Sequence, residues 1–175
     1  MIRTATREDA DAVRCVYMSA FPEGEGDIVS KLAVDLLFEA TEPPIHSLLA
    51  EAEGAVVGHV AFSPVRGRDT KELLGYILAP LAVRSDSQKR GIGSRLIKSG
   101  IERLSALGAG VLLVYGDPRY YGRFGFTVDA AEGSIPPYTL QYPLGWQGMA
   151  LGGCGVRKPA VRISCVSALN NPVLW

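Results

Sequence analysis

Apolar positions along this chain change period several times, and each change marks an element. Ile2 to Ala5 reads as a short strand. Thr6, with Asp9 three residues later, makes a helix N-terminus ahead of an amphipathic stretch through Val13, Val16, Tyr17 and Ala20. The joint Phe21 to Gly26 (FPEGEG) breaks that helix. A second helical pattern with Ile28, Leu32, Leu36 and Leu37 then runs to Pro43-Pro44. Ser47 to Ala52 and Val56 to Phe62, separated by Glu53-Gly54, predict an antiparallel hairpin, and Leu73 to Val83 is a third run that pairs with them. The turn QKRGIG leads into a helix from about Ile92 to Leu107, with Leu96, Ile97, Ile101, Leu104 and Leu107 at helical spacing, ended by Gly108 and Gly110. Val111 to Tyr115 is a compact strand, GDPRYYGRFG a short helix or turn, and Phe126 to Val128 the start of another strand. Strand, turn, helix, strand at this spacing predicts a right-handed parallel crossover. The segment from Ala131 to Pro159 is rich in Gly and Pro, with one strand expected near Gln147 to Leu151, and Val161 to Leu169 closes as a last strand.

Bulk properties narrow this picture. The 175 residues, 47% of them hydrophobic, suffice for one core and are short for two, so a single globular domain over 1–175 is expected. Eighteen basic and eighteen acidic residues give no net charge, which removes the simplest electrostatic case for a nucleic-acid or anionic-membrane partner. No apolar run approaches membrane-spanning length, and MIRTATREDADA is too polar for a secretory leader, so the expected location is the cytoplasm. Cys15, Cys154 and Cys165 are widely spaced, and two histidines are too few to complete a zinc site with them, so neither a disulfide framework nor a metal is expected. A cysteine nucleophile that carries an acyl group is weighed against small buried packing residues. The helical pattern around Cys15 and the strand pattern around Cys165 favour packing. An exposed C-terminal strand ending NNPVLW would allow pairing with a second copy, giving a homodimer.

The chemistry concentrates in LAVRSDSQKRGIGSRL, which joins a strand to a helix. Glycine lets the backbone approach a phosphate closely, and N–H groups at a helix start lack intrahelical partners, so the segment suits an anion. Glycines near a helix start also serve simply to turn a chain. The Walker pattern GxxxxGK[ST] is absent, and so is the first glycine of GxGxxG, which excludes the usual nucleotide and dinucleotide loops.

Leu81-Ala82-Val83 followed by Gln88-x-x-Gly91-x-Gly93 resembles the [QR]-x-x-G-x-[GA] signature of the GNAT N-acetyltransferase family. The later YYGRFGF resembles that family's FY-x-x-x-GF element, with Tyr120 in place of the usual Phe, Tyr121 as the tyrosine, and Gly125-Phe126 following. The runs GHVAFSPV, LAPLAV and GDPRYYGRFGF are similar to the YhbS-like branch. The resemblance implies an α/β (α+β) acyl-CoA N-acyltransferase fold. Its sheet would be mixed and mostly antiparallel, with the fourth and fifth strands parallel and splayed around acetyl-CoA, and helices at its flanks.

By the same resemblance, backbone groups of Leu81, Ala82 and Val83 bond the acetyl and pantetheine portion. The N–H groups of Lys89, Arg90, Gly91, Ile92, Gly93 and Ser94 hold the pyrophosphate, with Gln88 opening the turn and Tyr120 beside it. Asp117 stands where relatives often carry Asn, and either bonds the pantetheine arm or caps the short helix. Transfer to an amine needs a neutral nucleophile, oxyanion stabilisation and a proton for the departing thiolate. Tyr121 is the candidate acid, since a phenol is protonated at neutral pH, and Val83 N–H is the candidate oxyanion donor. Glu25, His59 and Glu72 are candidate bases, Glu25 and His59 also candidate substrate contacts. Glu25 could equally be solvated loop and His59 a hydrogen-bonded strand residue. The acceptor is expected to be a primary amine of a small molecule or peptide. It would be bordered by Phe21 to Asp27, whose Glu23, Glu25 and Asp27 would attract a cation, and by the 131–159 segment with Tyr138, Tyr142 and Trp146. A non-catalytic acyl-CoA sensor or protein-interaction module, and a ping-pong enzyme using a cysteine, are the alternatives.

Overall fold

A computed structural model of the chain describes residues 1–152 and 159–175. They divide into two compact units: Met1–Phe62 with Ala79–Gly100, and Ser63–Leu78 with Ile101–Trp175. The fold is a mixed α/β arrangement with mostly antiparallel strand neighbours, a parallel pair as expected, and flanking helices.

In the first unit, β1 (Ile2–Thr4) pairs antiparallel with β2 (His46–Ala52), which pairs antiparallel with the first part of β3 (Ala55–Gly67). Glu53 and Gly54 both adopt positive φ, +51° and +78°, the backbone demanded by a two-residue hairpin loop. Alternation along β3 sorts its side chains. Gly58 lies beneath Ile92 and Leu96 of α3 (Ile92–Ala106), where an added Cβ would fall 3.0 and 3.1 Å from them. Phe62 presses on the same helix at Gly100, where a Cβ would stand 2.0 Å from the ring. His59, on the opposite face, meets Tyr17 of α1 (Ala10–Ala20). The sheet is therefore covered on both faces. The core under α1 and α2 (Glu25–Phe38) contains Val13, Val16, Tyr17, Ala33, Leu49 and Ala82. Thr6 and Asp9 form the expected reciprocal cap, although the first turn, Arg7–Asp9, is 3-10. Asp9 also holds Arg3 through two hydrogen bonds of 2.7 and 2.8 Å, and Arg3 reaches Glu51 at 2.7 Å.

In the second unit, the first part of β4 (Leu73–Val83) runs parallel to β5 (Val111–Tyr115), from Gly75 opposite Val111 to Leu78 opposite Val114. A Cβ on Gly75 would stand 1.9 Å from the Val111 carbonyl oxygen, so glycine is what permits this pairing. After α4 (Pro118–Tyr121) come a two-residue strand, β6 (Ser134–Ile135), then β7 (Trp146–Ala150), antiparallel to β5, and β8 (Val161–Ser164), antiparallel to the end of β3.

Three expectations fail here. Phe126–Val128 does not open a strand. Thr127 makes one bridge to Gly148, its hydroxyl then accepts from Ala130 N–H, and a 3-10 turn at Asp129–Ala131 follows. The last strand stops at Ser164 rather than Leu169, giving way to a 3-10 turn at Ser167–Leu169. NNPVLW is not a strand: Pro172 has no N–H, Asn171 caps Val173 N–H at 3.1 Å, and Pro172–Leu174 forms a 3-10 turn. The strand edge on which a homodimer was expected is absent from it.

Candidate active site

The turn between β4 and α3 is held in shape before any ligand arrives. Arg84 N–H donates to the Val57 carbonyl at 2.9 Å, and Ser85 N–H to the Ser19 hydroxyl at 3.1 Å. Gln88 Nε2 donates to the Val83 carbonyl at 3.0 Å, so this side chain folds the turn back on the strand that precedes it. Lys89 and Gly91 follow with φ of +61° and +73°. Arg95 N–H bonds the Gly91 carbonyl at 3.0 Å, which makes Gly91 the residue from which the helix grows. The N–H groups of Ile92, Gly93 and Ser94 therefore lie in the first turn, where no upstream helical carbonyl can receive them. Fifteen residues of helix add a partial positive charge there, and the exposed Lys89 and Arg90 bring two full ones. Nothing surrounds a Cβ built on Gly91, so its requirement is conformational. Leu81 and Val83 are half-buried, while Ala82 belongs to the core under α1.

The second unit carries the aromatic element. Asp117 Oδ1 accepts Arg119 N–H at 2.9 Å and Pro118 opens α4, so Asp117 does cap the short helix. Tyr120 lies under the Arg123 guanidinium, 4.6 Å from its centroid. Tyr121 is set edge-on to Tyr120 (5.1 Å) and Phe126 (5.8 Å). Burial, with a smaller contribution from Tyr120, raises the Tyr121 phenol well above its ordinary range. It therefore stays protonated throughout the neutral range. Gly116 makes room for this ring: a Cβ there would fall 2.5 Å from Tyr121 Cε2. Gly116 stands within GDPRYYGRFGF, but nothing in a single glycine says which ring crosses it.

Residues 10–126 match the Acetyltransferase (GNAT) family. The chain belongs to that family. The N-acetyltransferase YjhQ of Escherichia coli strain K12, itself uncharacterized, is 39% identical over 138 residues, covering 77% of this chain and 74% of its own length. Among solved structures, YhbS from Escherichia coli in complex with CoA superposes with a TM-score of 0.82 at 26% identity, covering 98% of this chain and 92% of that one. A GNAT family acetyltransferase from Brucella melitensis in complex with acetyl-CoA gives 0.71 at 32% identity, covering 97% of each.

Within this GNAT chain the other predicted residues separate. His59 is fully buried, its Nδ1 2.8 Å from the Tyr17 hydroxyl and its Nε2 2.8 Å from the Ser47 hydroxyl. Burial pushes its pKa down to about 3, so it is neutral and both ring nitrogens are occupied. This matches the reading of His59 as a hydrogen-bonded strand residue and gives no support to a base or substrate contact there. Glu25 is the first residue of α2, exposed, and with Asp27 it places negative charge at the helix N-terminus, a stabilising position in its own right. Glu23 is exposed beside them, and Glu72 precedes β4.

The cysteine expectations are corrected in part. Cys15 is exposed on α1, because Val13, Val16 and Tyr17 define the buried stripe and position 15 falls off it. Cys165 follows β8, and burial pushes its thiol up to about 12. Cys154 lies outside the described residues. Among the described residues no group of His, Cys, Asp and Glu is placed to hold a metal ion, and no helix is long and apolar enough to cross a membrane. Of the three aromatics expected at the acceptor, Trp146 is buried and donates to the Ser134 carbonyl at 2.7 Å, Tyr138 leans on Trp175, and Tyr142 is exposed.

Proposed function

We propose that this chain, acting as one GNAT domain over 1–175, transfers the acetyl group of acetyl-CoA to a primary amine of a small molecule or peptide by direct attack in a ternary complex. The observation that carries the reading is the β4–α3 turn. Its positive-φ residues Lys89 and Gly91 present a helix start and two cations to an anion, in a chain whose Brucella melitensis neighbour is in complex with acetyl-CoA.

The residues present fit that cosubstrate. Lys89 to Ser94 would hold the pyrophosphate, the backbone of Leu81, Ala82 and Val83 the acyl-bearing arm, and Asp117 and Tyr120 would lie along it. Acetyl-CoA supplies an activated acyl group as a thioester. As the C–N bond forms and the C–S bond breaks, the amine gives a proton to water and Tyr121 supplies one to the departing sulfur, after which the proton taken up by water restores Tyr121. Val83 N–H donates to the carbonyl oxygen as it gains charge. A phenol is protonated at neutral pH with or without burial, so what supports the acid role is the place of Tyr121 in the YYGRFGF element rather than its raised pKa. We place the reaction in the cytoplasm.

A thiol-release assay with acetyl-CoA and a panel of amines and peptide N-termini tests this. Amine-dependent CoA release that Tyr121→Phe reduces supports it. Acetyl-CoA binding with no amine acetylated would replace it by the sensor reading.

A further inference from the structure

The second unit contains a cavity of about 620 Å³ that, apart from Asp117, is built from residues to which the proposed reaction gives no role. Three separate segments build it: the end of β5 into α4, the loop before β7, and the C-terminal turn. Tyr142, Leu144 and Val173 at this cavity are 68, 73 and 66% exposed. Large apolar side chains held together in water mark a binding surface more than a folding need. The wall behind them is fixed. Trp175 stacks on Tyr115 at 6.4 Å with planes 13° apart and donates to the Leu169 carbonyl at 3.1 Å, while the Tyr115 hydroxyl accepts Tyr142 N–H at 2.9 Å. Among the described residues Asp117 is the one charged side chain in the lining. Gly116, also in the lining, is the residue crossed by the Tyr121 ring.

We infer that this cavity is the acceptor pocket and takes a primary amine carried on an apolar, ring-sized body. A volume in this range suits a small molecule. The aromatic and branched walls bury the body. The Asp117 carboxylate and the aromatic side chains of the lining favour a cationic head over a neutral or anionic one. Gly116 brings the pocket wall against the proposed acid. The inference rests on the transferase reading for its word acceptor, while the pocket itself can be tested without turnover.

The test titrates phenethylamine into the full chain without acetyl-CoA, following tryptophan fluorescence, with phenethyl alcohol and methylamine as partial probes. Saturable phenethylamine binding is expected, with methylamine much weaker. Leu144→Glu should weaken phenethylamine binding roughly tenfold, a change at an exposed position that leaves folding intact. It should leave acetyl-CoA affinity unmoved. Asp117→Asn should erase the preference for the amine over the alcohol. Phenethylamine should then be acetylated, with its KM raised by Leu144→Glu and kcat little changed. Absence of saturable binding overturns the pocket. So does a Leu144→Glu effect on acetyl-CoA alone, which would give the cavity to the cosubstrate, or a dimer in light scattering that Leu144→Glu dissociates while amine binding stays constant. Binding without transfer of any amine sinks the acceptor role through the transferase reading. Transfer to amines that ignores Leu144→Glu sinks the pocket alone.

Discussion

Gly116→Ala is the smallest change that should separate position from chemistry in this site. The new methyl carbon would stand 2.5, 3.1 and 3.5 Å from Cε2, Cδ2 and Cζ of Tyr121. The glycine backbone cannot yield easily, because its N–H donates to the Gly145 carbonyl at 3.0 Å and its carbonyl accepts from Gln147 Nε2 at 3.3 Å. The Tyr121 ring must therefore move by roughly 1 Å to restore ordinary contact. A displacement of that size at a reacting group costs up to ~100-fold, and removing the acid altogether costs roughly 10²–10⁴-fold. Gly116→Ala should lower kcat by ~10- to 100-fold with KM for acetyl-CoA little changed, measured by CoA release at saturating amine. In a Tyr121→Phe background the same substitution should cost less than about threefold, since the hydroxyl it misplaces is gone. Equal losses in both backgrounds, or no loss in either, would refute the positioning argument.

Other substitutions test the rest. His59 is neutral when folded with a pKa near 3 against an ordinary 6.5, so the unfolded chain binds a proton that the folded chain refuses between those values. Its contribution is complete above about pH 6.5 and is lost toward pH 3 at up to ~1.4 kcal/mol per pH unit. Urea midpoints of wild type and His59→Gln should diverge at pH 7.5 and converge near pH 4.5; parallel curves would contradict this. At Gly91, with φ +73° and open space around a Cβ, Val should cost ~1–2 kcal/mol in backbone strain and raise KM for acetyl-CoA, while Asn should restore most of the affinity. Acetyl-CoA given without acceptor should leave no stable acyl group on Cys165, whose thiol is held protonated; an acyl-cysteine in the intact mass would revive the ping-pong alternative.

How much was legible in the chain follows from how local each signal is. The Glu53-Gly54 hairpin, the α3 stripe and the glycine turn are each written within a few residues, and each appears where expected. Phe126–Val128 and the C-terminal residues are apolar enough to read as strands, yet Thr127 and Asn171 side chains cap the turns that replace them. His59 stands in an alternating strand that shows it faces one side, but not that Tyr17 and Ser47, 42 and 12 residues away, fill both its nitrogens. The cavity was the least visible, because Tyr115, Tyr142 and Trp175 meet only through tertiary folding. Sequence alone marked Tyr142 and missed its partners.

The central claim is acyl transfer, and intact mass spectrometry of an amine pool incubated with this chain and acetyl-CoA tests it most directly. One acetyl group on a primary amine, matched by an equal amount of free CoA and sharply reduced by Tyr121→Phe, is the predicted result. Bound acetyl-CoA with every amine unmodified, or CoA released without any acetylated product, would contradict it.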